Sequence, residues 1–493
     1  MAQQPEPASG RAGTTADEEP YTPDPRRWKA LSVCLIVGFM SLLDVSIVNV
    51  ALPAIEKGLA ASQSALSWVV SGYALTFGLV LVPAGRVGDA LGRRTAFLGG
   101  LVLFTAASMA CGFAQGAGWL VGSRAVQGVG GGLLMPQISG MIQQLFRGAE
   151  RGKAFGLLGS TIGLSTAVGP LLGGLLIQIF GATEGWRWVF FVNLPIGIVA
   201  FLLALRLVPH ACAERDTGHR HSLDPVGVAL LGSGVLALML PLVEERQWQG
   251  QGKWLLVPVG ALLICAFVGW ERVYQRRGGE PLVDLRLFRD RSYSLGALLG
   301  LVYFAGFTTI FFIFTLFLQN GMGYTALQAG LTLTPFAVGS AISSAIGGRF
   351  ITRVGRPLIA VGLGLVLTGL AGAALAVHEV QNGGVGWALT GPMLWAGLGS
   401  GLVISPNQTL ALRSVPVAQG GAAGGVIQTG QRIGSAAGIA AVGAVFFARL
   451  AGSRNWATAL DYGLLTAVCF VAAALVVAVA DVLYGRRAAR REG

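Results

Sequence analysis

The stretch VCLIVGFMSLLDVSIVNVALPAI, residues 33–55, is apolar enough to lie in a lipid bilayer, yet it holds one carboxylate, Asp44, well inside. A helix needs about 20 mostly apolar residues to cross the hydrocarbon core. This run is the first of fourteen such runs: 30–50, 66–84, 95–114, 119–141, 155–179, 188–208, 223–243, 254–271, 293–318, 327–348, 358–377, 387–410, 421–447 and 460–484. The expected fold is an all-α integral membrane protein of fourteen transmembrane helices. Composition agrees: 53% of the 493 residues are hydrophobic and 12% charged, against about 25% charged in a soluble domain. The 74 glycines fit helices that pack through small residues.

Charge placement sets the topology. Lys and Arg accumulate in cytoplasmic loops. With the N-terminus inside, most of the 35 basic residues fall in inside segments, among them Arg86, Arg93, Arg94, Arg147, Arg151, Lys153, Arg272, Arg276, Arg277, Arg349, Arg353, Arg356 and the tail from Arg486. Outside segments hold only Lys57, Arg187, Arg246, Lys253, Arg449 and Arg454. A miscounted span would invert this bias downstream. An even count puts both termini in the cytoplasm. The net charge of +12 is then explained by anionic inner-leaflet lipid, without a nucleic-acid partner. The expected locale is the inner (plasma) membrane.

The five cysteines, Cys34, Cys111, Cys212, Cys265 and Cys469, show no CxxC spacing, so neither a disulfide framework nor a metal site is expected. Residues 1–29 are polar and read as a disordered tail without the apolar core of a signal peptide. His210, Cys212, His219 and His221 share the loop 209–222, whose Arg, Glu and Gly content reads as a linker.

The chain repeats itself. GRVGDALGRR (85–94) is echoed by GRFITRVGRP (348–357): Gly85, Arg86, Gly92 and Arg93 match Gly348, Arg349, Gly355 and Arg356. GVGGGL from Gly128 is echoed by GLGSGL from Gly397. The expected organisation is a six-helix bundle (30–208), two inserted helices with flanking linkers (209–292), a second six-helix bundle (293–484) and a basic tail (485–493). Parallel repeats around a central site are a transporter architecture.

Four motifs carry a family resemblance. LLDVSIVNVALP (42–53), GRVGDALGRR (85–94), RAVQGVGGG (124–132) and GSTIGLSTAVGPLLGG (159–174) together resemble the major facilitator superfamily, specifically its fourteen-span drug:proton antiporters. The resemblance implies proton coupling through Asp44 and Arg124. It implies a conformational-switch loop at Gly85, Asp89, Gly92 and Arg93, and an antiporter motif at Gly169, Pro170, Gly173 and Gly174. The chain departs from the pattern at Ala90, where a basic residue is usual, and at Ser165, where glycine is usual. Thr352 replaces Asp89 in the second half, so a carboxylate latch is expected on one side only.

The residues themselves point the same way. Asp44 lies about 21 Å from the inner face at ~1.5 Å per residue. Arg124, in an oppositely directed span, comes to about 22 Å in a core about 30 Å thick. Three roles for Asp44 compete: a static partner of Arg124, a substrate ligand, or a proton carrier. Burial favours a neutral carboxyl and a nearby arginine favours the ionised form, so a site alternately wet and closed can load and release a proton.

Candidate substrate-cavity residues are Asn49, Gln127, Gln137, Phe307, Phe311, Asn407, Gln408, Gln431 and Arg432. Phe304, Phe307, Phe311 and Phe314 share a helix face by their spacing. That face reads as lipid contact, packing, or an aromatic wall for substrate. Two arginines against one acid argue for a neutral, zwitterionic or anionic substrate.

The reading is a proton-coupled exporter of hydrophobic or amphipathic small molecules, with no cofactor. The rivals are proton-coupled uptake of a metabolite and, in another class, a receptor or scaffold. An enzyme is disfavoured, because the expected spans hold no histidine and only one mid-membrane acid.

Overall fold

The computed structural model of the chain describes residues 23–181, 183–209, 224–245, 248, 250–380 and 384–492. The loop cluster His210, Cys212, His219 and His221 and the tail 1–22 lie outside them. Among the described residues there is no group of three or more His, Cys, Asp or Glu able to hold a metal ion.

The architecture is all-helical. In chain order the first half contains α1 (Arg27–Leu59), α2 (Gln63–Leu91), α3 (Arg93–Gly112), α4 (Ala117–Leu145), α5 (Gly148–Phe180), α6 (Gly185–Phe191) and α7 (Asn193–Leu207). An additional pair follows, α8 (Pro225–Val243) and α9 (Leu256–Arg276). The second half contains α10 (Arg291–Leu316), α11 (Ala326–Val354), α12 (Pro357–Glu379), α13 (Val385–Ala388), α14 (Thr390–Ala411), α15 (Gly420–Ser453) and α16 (Trp456–Glu492). Among the described residues, thirteen segments are long and apolar enough to cross a membrane. They include the near-continuous pair α6–α7 and the pair α13–α14. The expected span 119–141 is present as the 29-residue α4 but falls short in apolarity. It carries Arg124, Gln127, Gln137 and Gln143, and buries all four.

One correction concerns α12. Its helix runs on to Glu379 and so takes in His378, at a position the sequence placed beyond the span. His378 lies 3.1 Å from Asp461 at the same end of the molecule.

The two halves meet along two seams. In the first, α5 lies on α11 through small residues: a Cβ at Gly163 would sit 2.7 Å from the Ala337 carbonyl oxygen, and one at Gly156 would sit 2.8 Å from that of Ser344. In the second, α2 lies on α15, with Gly85 against Gly421 and Gly425 against Leu81. The sequence repeat appears here as geometry. Gly85 meets Gly421 on one seam, and its counterpart Gly348 meets Gly152 on the other. Gly92 and Gly355 end their helices at φ +98° and +68°, a backbone region that side chains rarely adopt.

The inserted helix α8 packs against both α2 and α15. Leu231, Val235 and Met239 join Leu75, Val82 and Ala436 in one apolar cluster. Asp224 caps α8 at Gly227 and accepts from Trp270 Nε1 at 2.9 Å. The linker after α9 is tied in by Glu271, which accepts from Leu282 N at 3.1 Å, and by an Arg86–Glu280 ion pair to α2.

Candidate proton-coupling and gating sites

Asp44 is fully buried on α1. Its Oδ2 accepts from Arg124 Nη1 at 2.5 Å. Its Oδ1 accepts from Gln127 Nε2 and from Asn193 Nδ2, each at 2.9 Å. The i,i+3 spacing of Arg124 and Gln127 puts both on one face of α4. Asn193 opens α7 directly after the break that ends α6. Pro195 has no N–H to give the Phe191 carbonyl four residues back, which interrupts the helical hydrogen bonds between α6 and α7. Val192 keeps helical dihedrals (φ −59°, ψ −26°), so Asn193 reaches Asp44 from a near-continuous helix.

Arg124 does not depend on Asp44 alone. It also donates to the Val69 carbonyl at 3.1 Å and to Gln127 Oε1 at 2.8 Å, and lies 4.1 Å from the Tyr73 ring centroid. Tyr73 stacks on Phe77, one turn along α2, with centroids 5.8 Å apart. Arg432 of α15 caps the far end of this ladder, 4.5 Å from the Phe77 centroid. Two guanidiniums therefore flank two stacked rings, one from each half of the molecule. Glycines make room for the ladder: Gly131 and Gly132 of α4 abut Phe77.

A second constellation sits at the end of the seam between α2 and α15. Asp89 accepts from the backbone N–H groups of Gly421 and Ala422, at 3.1 and 2.9 Å. These N–H groups open α15, where a helix presents unsatisfied donors to an anion. Arg93 donates to Asp89 at 2.9 Å and to the carbonyls of Gly140 and Val417. The short loop thus holds α2, α3, α4 and α15 at one point. Thr352 of the second half makes no such bond; Arg356 there pairs with Asp481, which also pairs with Arg291 at 3.1 Å.

The glycine ridges of α5 divide their work. Gly159 and Gly163 face α11, whereas Gly169 and Gly173 face Ser46 and Ile47 of α1. Pro170 contacts the position of Gly330 on α11. Gly174 has open space where a Cβ would go.

The polar residues grouped as a cavity fall into several places, of which one joins Asn407 and Gln431. Asn49 bonds its own helix at Val45, Gln127 belongs to the Asp44 network, and Gln137 donates to the Ala84 carbonyl. Asn407 donates to the Gly296 carbonyl and lies with Gln431 beside Gly300, and Gln408 is buried with its Oε1 unpartnered. Phe307 and Phe311 pack on Phe336, at 5.9 and 5.2 Å. Gln428 instead bridges the halves, donating to Ser139 Oγ at 3.0 Å.

Sequence reading passed over Asn193 and Ser108, whose Oγ accepts from Asn193 at 2.9 Å. The signal was available. Asn193 lies five residues into the run 188–208, as Arg124 lies five residues into 119–141, so both reach one depth.

Two packed helical bundles, the first with a buried ion pair between α1 and α4, define a class: a multi-pass membrane transporter rather than an enzyme. The chain belongs to the Major Facilitator Superfamily, whose family model matches residues 34–439. It is 37% identical to the probable actinorhodin transporter of Streptomyces coelicolor, over 93% of this chain and 78% of that one. It is 34% identical to the multidrug resistance protein Stp of Mycobacterium tuberculosis, over 84% of this chain and 74% of that one. The human organic anion transporter MFSD10 shares the fold, with a TM-score of 0.66, 14% identity, and coverage of 92% of this chain and 100% of that one.

Proposed function

We propose that this protein is a proton-coupled antiporter that exports hydrophobic or amphipathic small molecules from the cell across the inner membrane. Its similarity to a probable actinorhodin transporter and to a multidrug resistance protein supports export. The observation that carries the coupling is Asp44: a buried carboxylate whose arginine partner keeps neutral partners of its own. With Asp44 neutral, Arg124 still has the Val69 carbonyl and Gln127 Oε1 as acceptors, which lowers the cost of protonating the carboxylate.

Alternating access would rock the bundles 30–208 and 293–484 about the two glycine seams, with 209–292 as an inserted pair. We count α4 as a span, its polarity spent inside the bundle, which makes fourteen and puts both termini in the cytoplasm. Asp89 and Arg93 would latch the cytoplasmic end, and proton loading would accompany its release. Arg432 gives the substrate class. Among the described residues it faces aromatic rings and no carboxylate pairs with it, which favours neutral or anionic aromatic compounds over dications.

The test uses inverted membrane vesicles carrying the full chain, with an imposed pH gradient. Fluorescein serves as an anionic probe and ethidium as a cationic one. Gradient-driven accumulation of fluorescein is expected, lost in Asp44→Asn and reduced about tenfold in Arg432→Gln. Accumulation that is unchanged in Asp44→Asn would remove the carboxylate from the mechanism. A preference for ethidium would remove Arg432 as the selecting charge.

A further inference from the structure

One member of the Asp44 network has an incomplete set of hydrogen bonds. Asn193 is fully buried, and its amide nitrogen donates to both Asp44 Oδ1 and Ser108 Oγ. Its amide oxygen has no partner. An unpartnered buried acceptor is rare and costly, so it calls for a reason.

Gln127, the other amide on Asp44, is locked. Its Oε1 accepts from Arg124 Nη1 at 2.8 Å and from Cys111 Sγ at 3.6 Å. Turning it over would set an NH2 group against a guanidinium. Asn193 carries no such constraint. Rotated by half a turn, its oxygen would face Asp44 Oδ1 and Ser108 Oγ. The Ser108 hydroxyl now donates to the Phe190 carbonyl at 3.0 Å, and rotation lets it donate to the turned amide instead.

A carboxylate only accepts hydrogen bonds, whereas a protonated carboxyl group must also donate one. A buried proton carrier therefore needs a neighbour able to serve both forms. We propose that Asn193 is that neighbour: its amide donates to ionised Asp44 and, after turning over, accepts from the protonated carboxyl. The proposal rests on Asp44 being the carrier. The proton comes from solvent, bonds to Oδ1 and returns to solvent; no other bond forms or breaks. The charged and titratable groups around Asp44 are Arg124 on α4, Cys111 on α3 and Tyr73 on α2, with Arg432 of α15 acting on Tyr73. From α5 comes only the Ser165 carbonyl, through Ser46. Asn193 is a positioning residue; it need not touch the substrate.

The test is infrared difference spectroscopy of the purified full chain in lipid nanodiscs, stepped in pH without substrate. The carbonyl stretch of protonated Asp44 is assigned by its absence in Asp44→Asn. In Asn193→Leu the O–H loses its acceptor, and the band is expected to move to higher wavenumber. In Asn193→Asp a second carboxyl shares the site, and the band's titration midpoint is expected to rise by about one pH unit. An Asn193→Leu band at its wild-type position overturns the proposal and leaves the carrier reading standing. If Asn193→Leu does not fold, an unmoved midpoint in Asn193→Asp overturns it equally. A wild-type chain with no Asp44 band at any pH overturns the carrier reading itself.

Discussion

At the scale of single residues, Asp44 and Arg124 are a fully desolvated pair held by hydrogen bonds from α4 and α7. Removing one partner of such a pair leaves an uncompensated charge, which costs about 3–5 kcal/mol. Arg124→Ala is therefore expected to lower the thermal midpoint of the detergent-solubilised protein markedly. Adding Asp44→Asn to that variant should recover part of the loss, because no charge then remains unpaired. Strictly additive losses in this double-mutant cycle would contradict the coupling. Both residues were legible in sequence because two long helices of known rise brought them to one depth. Asn193 answers to the same arithmetic, but depth alone does not say which helix face it lies on, and that is fixed only where α1, α4 and α7 converge.

At the scale of elements, α5 and α11 come closest at glycines, where Gly156 and Gly163 leave no room for a Cβ. Gly163→Val would drive a side chain into the α11 backbone, and overpacking of this kind costs about 1–3 kcal/mol. It should lower both the thermal midpoint and gradient-driven transport. Gly174→Ala, in the same motif, faces open space and should leave both within error of wild type. If the two variants behaved alike, the glycines would matter for flexibility rather than for close approach. The inserted pair adds a further contact. Its linker reaches α2 through Arg86–Glu280 and the start of α15 through Asp284, which accepts from Gln419 at 3.4 Å. The sequence marked these helices as extra to the repeat. It carried no cue to their docking place, because an apolar helix in lipid looks the same whichever neighbour covers it.

At the scale of the whole molecule, the end bearing Asp89 is closed by charge-assisted bonds to the first amides of α15. Each such bond contributes about 1.5–3 kcal/mol. Asp89→Asn should therefore shift the population toward an open end. Spin labels at the exposed positions 91 and 413 would report this as a longer mean distance; an unchanged distribution would show that the latch does not set the equilibrium. Much of this architecture is visible before folding. Long apolar runs, basic loops and the echo of Gly85–Arg93 in Gly348–Arg356 determined a repeated helical membrane protein, since the bilayer forces helices upon apolar segments. The separation of Gln137 from Asn407 and Gln431, which meet at Gly300, the aromatic ladder from Arg124 to Arg432 and the orientation of Asn193 toward Asp44 were decided only in three dimensions. Those features depend on which face each helix gives to its neighbour, and in a membrane that choice rests on close packing and hydrogen bonds between helices distant in the chain.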